Sequence, residues 1–587
     1  MALIPVVGRK SPKMRLLVAF IYVVLILGAV TTLYPFLVML GSSVTSEYDQ
    51  DQYAVLPAYL TSDAALFGKY ACDKYGQDIG VISSAYATQY AKLNQVSPPT
   101  GTLDKAAVTR WRAFLDHAPT MYKSVGFMGT KGQYSPSLLM DRYHDWLRIR
   151  FHDDIRALDL AYVEEDTSFL TVYPPYERPL QRLFAPGASR KETDWAEFKR
   201  TLPADMYLPV LLNPLYRAYL RDEVYGGKIE DLNTAWRTSY GDWMSVTLPF
   251  KEPVGGAAKD WAAFARTKCP LRFLIIGQPY VSTWERFQKA RGLSPVPYPA
   301  PGSLPTGPSL RAFSDFVKAA PPDCLLIASL ENQWWMTMGD PAARPPLAQS
   351  DWLAVQADPN ALRRSYLARN YKFALDYLLL HGRGVLNTVI YCGGAVLIAL
   401  IVNPLCAYAL SRFKLPYTQG LLLFLLSTMA FPAEVAMIPN FLLLKQLGLL
   451  NTFWALILPA AASGFSIFLL KGFFDSLPQD LYEAGMLDGA SELTLFARVT
   501  LPLSKPIFAV IALQAFTAAY GAFLFAMIVC QAQSHWTLMV WIYQFQALNA
   551  PQYVMMAALV IAAIPTLVVF MFTQKIIMRG IILPSMK

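Results

Sequence analysis

The chain has 587 residues, of which 54% are hydrophobic and only 16% charged, with a net charge of +9 and a mean hydropathy of +0.30. That balance points to a membrane protein, and the excess of Lys and Arg forms no basic run or Arg-rich helix that would mark a nucleic-acid surface. Five histidines and six cysteines without a CxxC pair argue against a metal centre.

The hydrophobicity is uneven. Residues 385–577 are almost continuously apolar, whereas 45–375 read as a soluble, aromatic-rich domain with many prolines. A bilayer core needs about 20 apolar helical residues. Six stretches qualify, at roughly 16–40, 385–410, 420–445, 452–472, 506–530 and 553–577. The first follows "GRKSPKMR", where Arg9, Lys10, Lys13 and Arg15 hold the N-terminus in the cytoplasm. Its apolar run is too long for the core of a cleaved signal peptide.

The soluble stretch contains internal repeats. "YGQDIGVISSAYATQYAKLNQVSPP" (75–99), "FHDDIRALDLAYVEEDTSFLTVYPP" (151–175) and "YGGKIEDLNTAWRTSYGDWMSVTLP" (225–249) align without gaps at a period of about 75 residues. A second element interleaves: "WRAFLDHAP" (111–119), "WAEFKRTLP" (195–203), "WAAFARTKCP" (261–270) and "FSDFVKAAP" (313–321), each with an apolar run soon after. This pattern predicts helix then strand, in a mixed but mostly helical domain of three to four degenerate repeats. The aromatic positions are expected to be core. Cys72, Cys269 and Cys324 lie here and allow at most one disulfide, while Cys392, Cys406 and Cys530 sit in apolar segments as packing residues.

Alternation from the first span places 45–375 outside the membrane. "SRFK" (411–414) falls inside, "KQLGLLN" (445–451) outside, 473–505 inside, "CQAQSHW" (530–536) outside, and the C-terminal tail inside. Arg412, Lys414, Lys471, Lys505, Lys575 and Arg579 then all face the cytoplasm. The basic "RRSYLARNYK" (363–372) falls on the other side, which a long translocated domain tolerates. Pro404, Pro432, Pro439 and Pro565 lie within spans, so the carbonyls they free must face protein or a water-filled path. Glu434, between two prolines in "FPAEVAMIP", either faces a pathway or partner or snorkels to the surface.

The connection "LYEAGMLDGASELTLFARVTLP" (481–502) departs from its apolar surroundings. Continued as one helix, it puts Tyr482, Gly485 and Gly489 on a common side, where small residues let another surface approach the backbone. Glu483 and Asp488 favour a basic or N–H-rich partner, and Leu501 and Pro502 stop the element before the next span. Nucleophile, base and orienting group are not placed together in it, so it reads as a docking knob rather than a catalytic centre.

These residues resemble the cytoplasmic signature of binding-protein-dependent ABC importers: Glu-Ala-Ala, three residues, Gly, nine residues, Ile-x-Leu-Pro. The chain reads Glu483-Ala484-Gly485, then Gly489, then Val499-x-Leu501-Pro502, and departs at Gly485 and Val499. Gly485 loosens the helix by about 1 kcal/mol. "VLNTVIY" (385–391), "AYALSRFKLP" (407–416), the 431–459 and 468–491 segments, "TQKIIMRGI" (573–581) and "YPFLVMLGSSVTS" (34–46) are similar to the maltose-type sugar permeases.

The resemblance implies the six-helix type I importer permease fold at 1–45 and 376–587, with a coupling loop at 473–505 and an extracytoplasmic insertion at 46–375. It further implies two separate ATPase subunits that bind ATP and Mg, because this chain has no GxxxxGK[ST] loop and holds no cofactor itself. A second permease subunit, an extracytoplasmic solute-binding protein, a carbohydrate substrate and the lipid of a bacterial inner membrane complete the expected partners.

The insertion is expected to dock the binding protein or to hold substrate near the pore mouth. "RDEVYGGKIEDLNTAWRTSYGDW" (221–243) also resembles a segment of some β-galactosidase-type glycosidases. The alternative is therefore a membrane-anchored protein that binds or hydrolyses carbohydrate. Hydrolysis needs two paired carboxylates, and nothing in the spacing pairs Glu164, Glu165, Glu223, Glu230 and Glu331.

Overall fold

A computed structural model describes residues 12–125, 137–166, 168–184, 187–292, 308–340, 343–380, 383–413, 416–428, 432–547 and 550–580. The chain divides into two compact units, Thr45–Ala368 and the combination of Met1–Val44 with Arg369–Lys587.

The Thr45–Ala368 unit is built from recurring pieces. Helices Ile79–Tyr86, Ile155–Tyr162 and Ile229–Trp236 each bury one residue at the same place, Ile82, Leu158 and Leu232. Each ends in a left-handed residue that is not glycine: Ala87 (φ 51°), Val163 (φ 57°) and Arg237 (φ 58°). That conformation is costly, most of all for β-branched Val163, so something must hold it. The residue four positions earlier does: Ser83 Oγ, Asp159 Oδ1 and Asn233 Oδ1 accept the amides of Tyr90, Asp166 and Tyr240 at 3.3, 3.0 and 2.8 Å. A 3-10 turn follows in each copy and seats a buried valine, Val96, Val172 or Val246.

The second recurring piece is helix, 3-10 turn, strand. Helices Lys105–His117, Arg190–Arg200, Ala257–Thr267 and Pro308–Ala319 lead into the strands β1 (Lys123–Ser124), β2 (Leu208–Pro209), β3 (Leu274–Ile276) and β4 (Leu325–Ile327). The strands pair antiparallel as β1 with β2 and β3 with β4. Trp111, Trp195, Phe198, Trp261, Phe264, Phe313 and Phe316 are buried, so these aromatics are core. Stacked and edge-to-face ring pairs such as Trp195–Phe198 at 5.4 Å and Trp284–Phe313 at 5.5 Å hold the layers. Cys72, Cys269 and Cys324 are free thiols, so the one disulfide that three cysteines could have allowed is not formed.

In the other unit, three helices are long and apolar enough to cross a membrane: Met14–Ser42, Gly384–Arg412 and Gln552–Ile576. Two further pairs qualify only as bent spans, Phe453–Ala460 with Gly464–Asp475 (50°) and Glu492–Leu503 with Lys505–Gly521 (83°). By length and composition the described residues therefore give three spans, or up to five. The stretch expected as one span at 420–445 is two shorter helices, Thr418–Ser427 and Ala433–Gln446; residues 429–431 between them lie outside the described residues. The basic stretch before residue 12, Lys414 and the tail 581–587 also lie outside them.

The bend at 461–463 is stabilised from the neighbouring helix. Asn403 Oδ1 accepts the Ser463 amide at 2.8 Å, and Ser463 caps the helix that begins at Gly464. A Cβ on Gly464 would lie 2.2 Å from the Leu425 carbonyl, so this crossing requires glycine. At the other end of the same long helix, Asn387 donates to the Ser534 and Trp536 carbonyls at 2.9 Å. Thr388 accepts the Leu538 amide at 2.8 Å. Two polar side chains thus tie that helix to the 530–538 connection.

Candidate functional site

The 473–505 connection forms two short helical pieces that fold against the membrane unit. The first, Gln479–Leu487, stops at Leu487 rather than continuing through residue 489. Gly489 lies beyond it at φ +78°, the left-handed conformation that glycine adopts at little cost. The Ala490 amide bonds back to the Gly485 carbonyl and the Gly489 amide to the Met486 carbonyl, both at 3.0 Å. This is a Schellman closure. Tyr482, Gly485 and Gly489 therefore do not share a helical side, and Gly489 serves to turn the chain.

The small surface at Gly485 is already taken. A Cβ there would come within 2.5 Å of Leu495 Cδ2, so the close approach that the residue permits is made by this chain's own next helix. That helix starts with Ser491 as N-cap to the Thr494 amide. Leu501 and Pro502 do not stop it. The Leu501 amide reaches back five residues to Phe496, a widened turn that accommodates Pro502, which has no N–H. The sharp bend instead falls at buried Ser504, between Leu503 and Lys505. Val499 is half-buried within the widened turn.

The inner side of the first piece is pinned to the bundle. Tyr482 is buried, shares a 2.8 Å hydrogen bond with Thr500, and lies under the Arg412 guanidinium, 3.5 Å from the ring centroid. Arg412, at the end of the Gly384–Arg412 helix, also donates to the Phe474 carbonyl at 2.9 Å. One turn earlier, Tyr408 donates to Glu492 Oε2 at 2.8 Å. Ser411 and Lys471 both bond Asp475, each at 2.6 Å. The two pieces and two long helices are thus linked by cation–π, aromatic and charged contacts.

Among the described residues the outer side makes none of these contacts. Glu483, Ala484, Met486, Asp488 and Gly489 are exposed, and the large apolar side chains of Leu487 and Leu493 are 89% and 73% exposed. Among the described residues Glu483 takes one hydrogen bond, from Gln479 in its own helix at 2.8 Å. The arrangement is a knob with a fixed root and an exposed tip that is acidic and apolar. The root leaves little trace in the sequence: Tyr408, Arg412, Tyr482 and Thr500 come from three separate segments, and the one local sign of a buried side is Tyr482, the sole aromatic of the Gln479–Leu487 helix.

Glu434 lies in the first turn of Ala433–Gln446, and its side chain is outside the described residues. The carboxylates weighed for hydrolysis stand apart: Glu164 pairs with Lys191 at 2.6 Å, Glu223 with Lys268 at 2.7 Å, and Glu331 is buried beside the Asn213 amide.

Residues 395–583 match the family model described as binding-protein-dependent transport system inner membrane component. The polygalacturonan/rhamnogalacturonan transport system permease protein YtcP of Bacillus subtilis (strain 168) is 32% identical over 38% of this chain and 81% of its own length. The diacetylchitobiose uptake system permease protein NgcG of Streptomyces coelicolor is 34% identical over 33% of this chain and 66% of its own. A solved structure, titled as a bacterial ABC transporter involved in the import of the acidic polysaccharide alginate, matches at 29% identity and TM-score 0.32, covering 35% of this chain and 78% of that one. The chain belongs to the family of binding-protein-dependent transport system inner membrane components.

Proposed function

We propose that this chain is the permease subunit of an ATP-driven ABC importer that carries a sugar or oligosaccharide across a bacterial inner membrane. Substrate arrives on an extracytoplasmic binding protein and passes between this chain and a second permease subunit through six spans. Both termini face the cytoplasm, and residues 46–375 lie outside. Two separate ATPase subunits bind ATP and Mg and grip the knob at Glu483, Ala484, Asp488 and Gly489, while Gly485 lets Leu495 support it from within. Val499, Leu501 and Pro502 shape the return into the membrane, and Glu434 faces the pathway or a subunit interface.

The observation that carries this reading is the knob's two-sidedness. Leu487 and Leu493 present large apolar surface to the outside, which a partner would bury, while Tyr482 and Arg412 lock the root to the span that ends at residue 412. Force on the tip is then delivered to that helix rather than absorbed by a flexible loop. The test is Leu487→Asp in the assembled transporter in vesicles. Burying a charge in place of a leucine should abolish saccharide-stimulated ATP hydrolysis and uptake while leaving the amount of inserted chain unchanged. Unaltered stimulation would refute the docking role.

A further inference from the structure

The Thr45–Ala368 unit holds a pocket of about 170 Å³ whose wall carries four cations, Lys123, Lys199, Arg200 and Arg272, against two carboxylates, Glu177 and Glu192. Both carboxylates are already engaged. Glu177 pairs with Lys199, and Glu192 Oε2 accepts the Ser189 amide at 3.0 Å as part of the cap on the Arg190–Arg200 helix. The pocket therefore keeps an excess of positive charge.

Arg272 is central to it. This residue sits in the 3-10 turn Leu271–Phe273, just before β3, with its guanidinium 5.5 Å from the Phe273 ring centroid and 5.8 Å from that of Phe184. The two rings hold the group by cation–π contact. Among the described residues it makes no hydrogen bond or ion pair, and it is only half-buried, so its N–H donors stay reachable from the pocket. On β1, Lys123 donates to the Asp116 carbonyl at 3.0 Å and lies 5.4 Å from the Tyr207 ring centroid, which leaves ammonium donors over. Burial lowers the Lys123 ammonium and the Arg272 guanidinium from their ordinary values, against the pull of Asp116 on one and of Glu177 on the other. An anion in the pocket would offset that cost, and both groups are already placed to receive it.

The surroundings narrow the choice of anion. A planar guanidinium matches a carboxylate through two parallel N–H···O bonds. Tyr176 stands at the rim with 54% of its surface exposed, an aromatic face on which a sugar ring can pack. Pro175, Tyr176, Pro179 and Trp195 also line an adjoining, largely apolar cleft of about 650 Å³, which is within the range of small-molecule sites and gives room for further sugar residues.

We propose that this pocket binds the carboxylate of an acidic saccharide, a uronate, on Arg272 and Lys123, with Tyr176 packing against the sugar face. The choice of a saccharide to carry the carboxylate rests on the transport reading above; the anion site rests on the converging cations and the open guanidinium edge. It narrows the solute of that reading from sugars at large to those that contain uronates.

The test uses the full-length chain in nanodiscs of neutral lipid, titrated with trigalacturonate, with trimannuronate and with the methyl ester of each, and followed by calorimetry and tryptophan fluorescence. At least one free acid should bind saturably, and its uncharged ester about tenfold more weakly or worse. Arg272→Gln and Lys123→Gln should each weaken the acid by about tenfold while leaving the ester's weak binding unchanged, a split that loss of folding would not produce. If Arg272→Gln misfolds by circular dichroism, Lys123→Gln together with the exposed Tyr176→Ala decides. Equal affinity for acid and ester, no saturable binding at millimolar concentration, or equal binding by wild type and variants overturns the site. Inorganic phosphate that displaces the acid at equal concentration overturns the choice of a uronate. Import by vesicles alongside absent uronate binding would sink the site and leave the permease reading standing. Variant-sensitive uronate binding without any import or ATPase stimulation would support the site and sink the transport reading.

Discussion

Gly489→Ala isolates the turn that closes the knob. At φ +78° an alanine is in the left-handed region, where an L side chain costs about 1–2 kcal/mol. No heavy atom lies within 4 Å of the position its Cβ would take, so the whole cost is in the backbone. One to two kcal/mol shifts an equilibrium by about 5- to 30-fold, here between the closed turn and one in which the 3.0 Å bonds from Ala490 to Gly485 and from Gly489 to Met486 are open. Amide exchange at Ala490 in the reconstituted chain should speed up by that factor, and saccharide-stimulated ATP hydrolysis should fall with it. Gly489→Asn should do less damage, because asparagine visits this conformation more readily. Gly489→Trp has open space around it and should match alanine in exchange, so any further loss of ATPase stimulation would come from a surface lying against the turn. Unchanged exchange in Gly489→Ala, or asparagine no better than alanine, would refute the conformational argument.

Gly485→Ala should gain about 1 kcal/mol of helix propensity but push on buried Leu495, so alone it should be close to neutral in thermal unfolding; with Leu495→Val the gain should emerge, making the pair more stable than the sum of the singles. In the Thr45–Ala368 unit, burial pushes His144 down to about 4 from 6.5, with Nε2 donating to the Val172 carbonyl at 3.2 Å. The unfolded chain then binds the proton that the folded one refuses, so stability should fall as pH drops from 6.5 towards 4, by up to roughly 3 kcal/mol. Melting curves of the full chain across that window should show this slope, and His144→Asn should flatten it.

What could be read from the residues alone depended on whether the signal was local. Apolar length marked the helices at 12–42, 384–412 and 552–580, because one helix is enough to satisfy a bilayer. It did not reveal the breaks, since the bend at 461–463 is held by Asn403 from another helix and the crossing at Gly464 depends on the Leu425 carbonyl. The repeats were visible because each copy buries the same positions, such as Ile82, Leu158 and Leu232. The left-handed residues Ala87, Val163 and Arg237 were not, because alanine, valine and arginine carry no local preference for that conformation. The signature Glu483-Ala484-Gly485 and Gly489 located the knob, but its root on Arg412 and Tyr408 lies some 70 to 90 residues away in the chain and left no pattern to read.

The strand pairing of the Thr45–Ala368 unit carries an arithmetic of its own. Among the described residues β1 pairs with β2 and β3 with β4, with Lys251 bridging the far side of β4, so no copy of the helix–turn–strand piece finishes its own edge. Removing one copy would strand its mate's backbone in solvent, whereas removing a matched couple would leave every ribbon complete. Repeat units of this kind should therefore lengthen or shorten by even numbers of copies, and an odd-numbered one would have to protect its bare ribbon by some other means, as Lys251 does at the far side of β4.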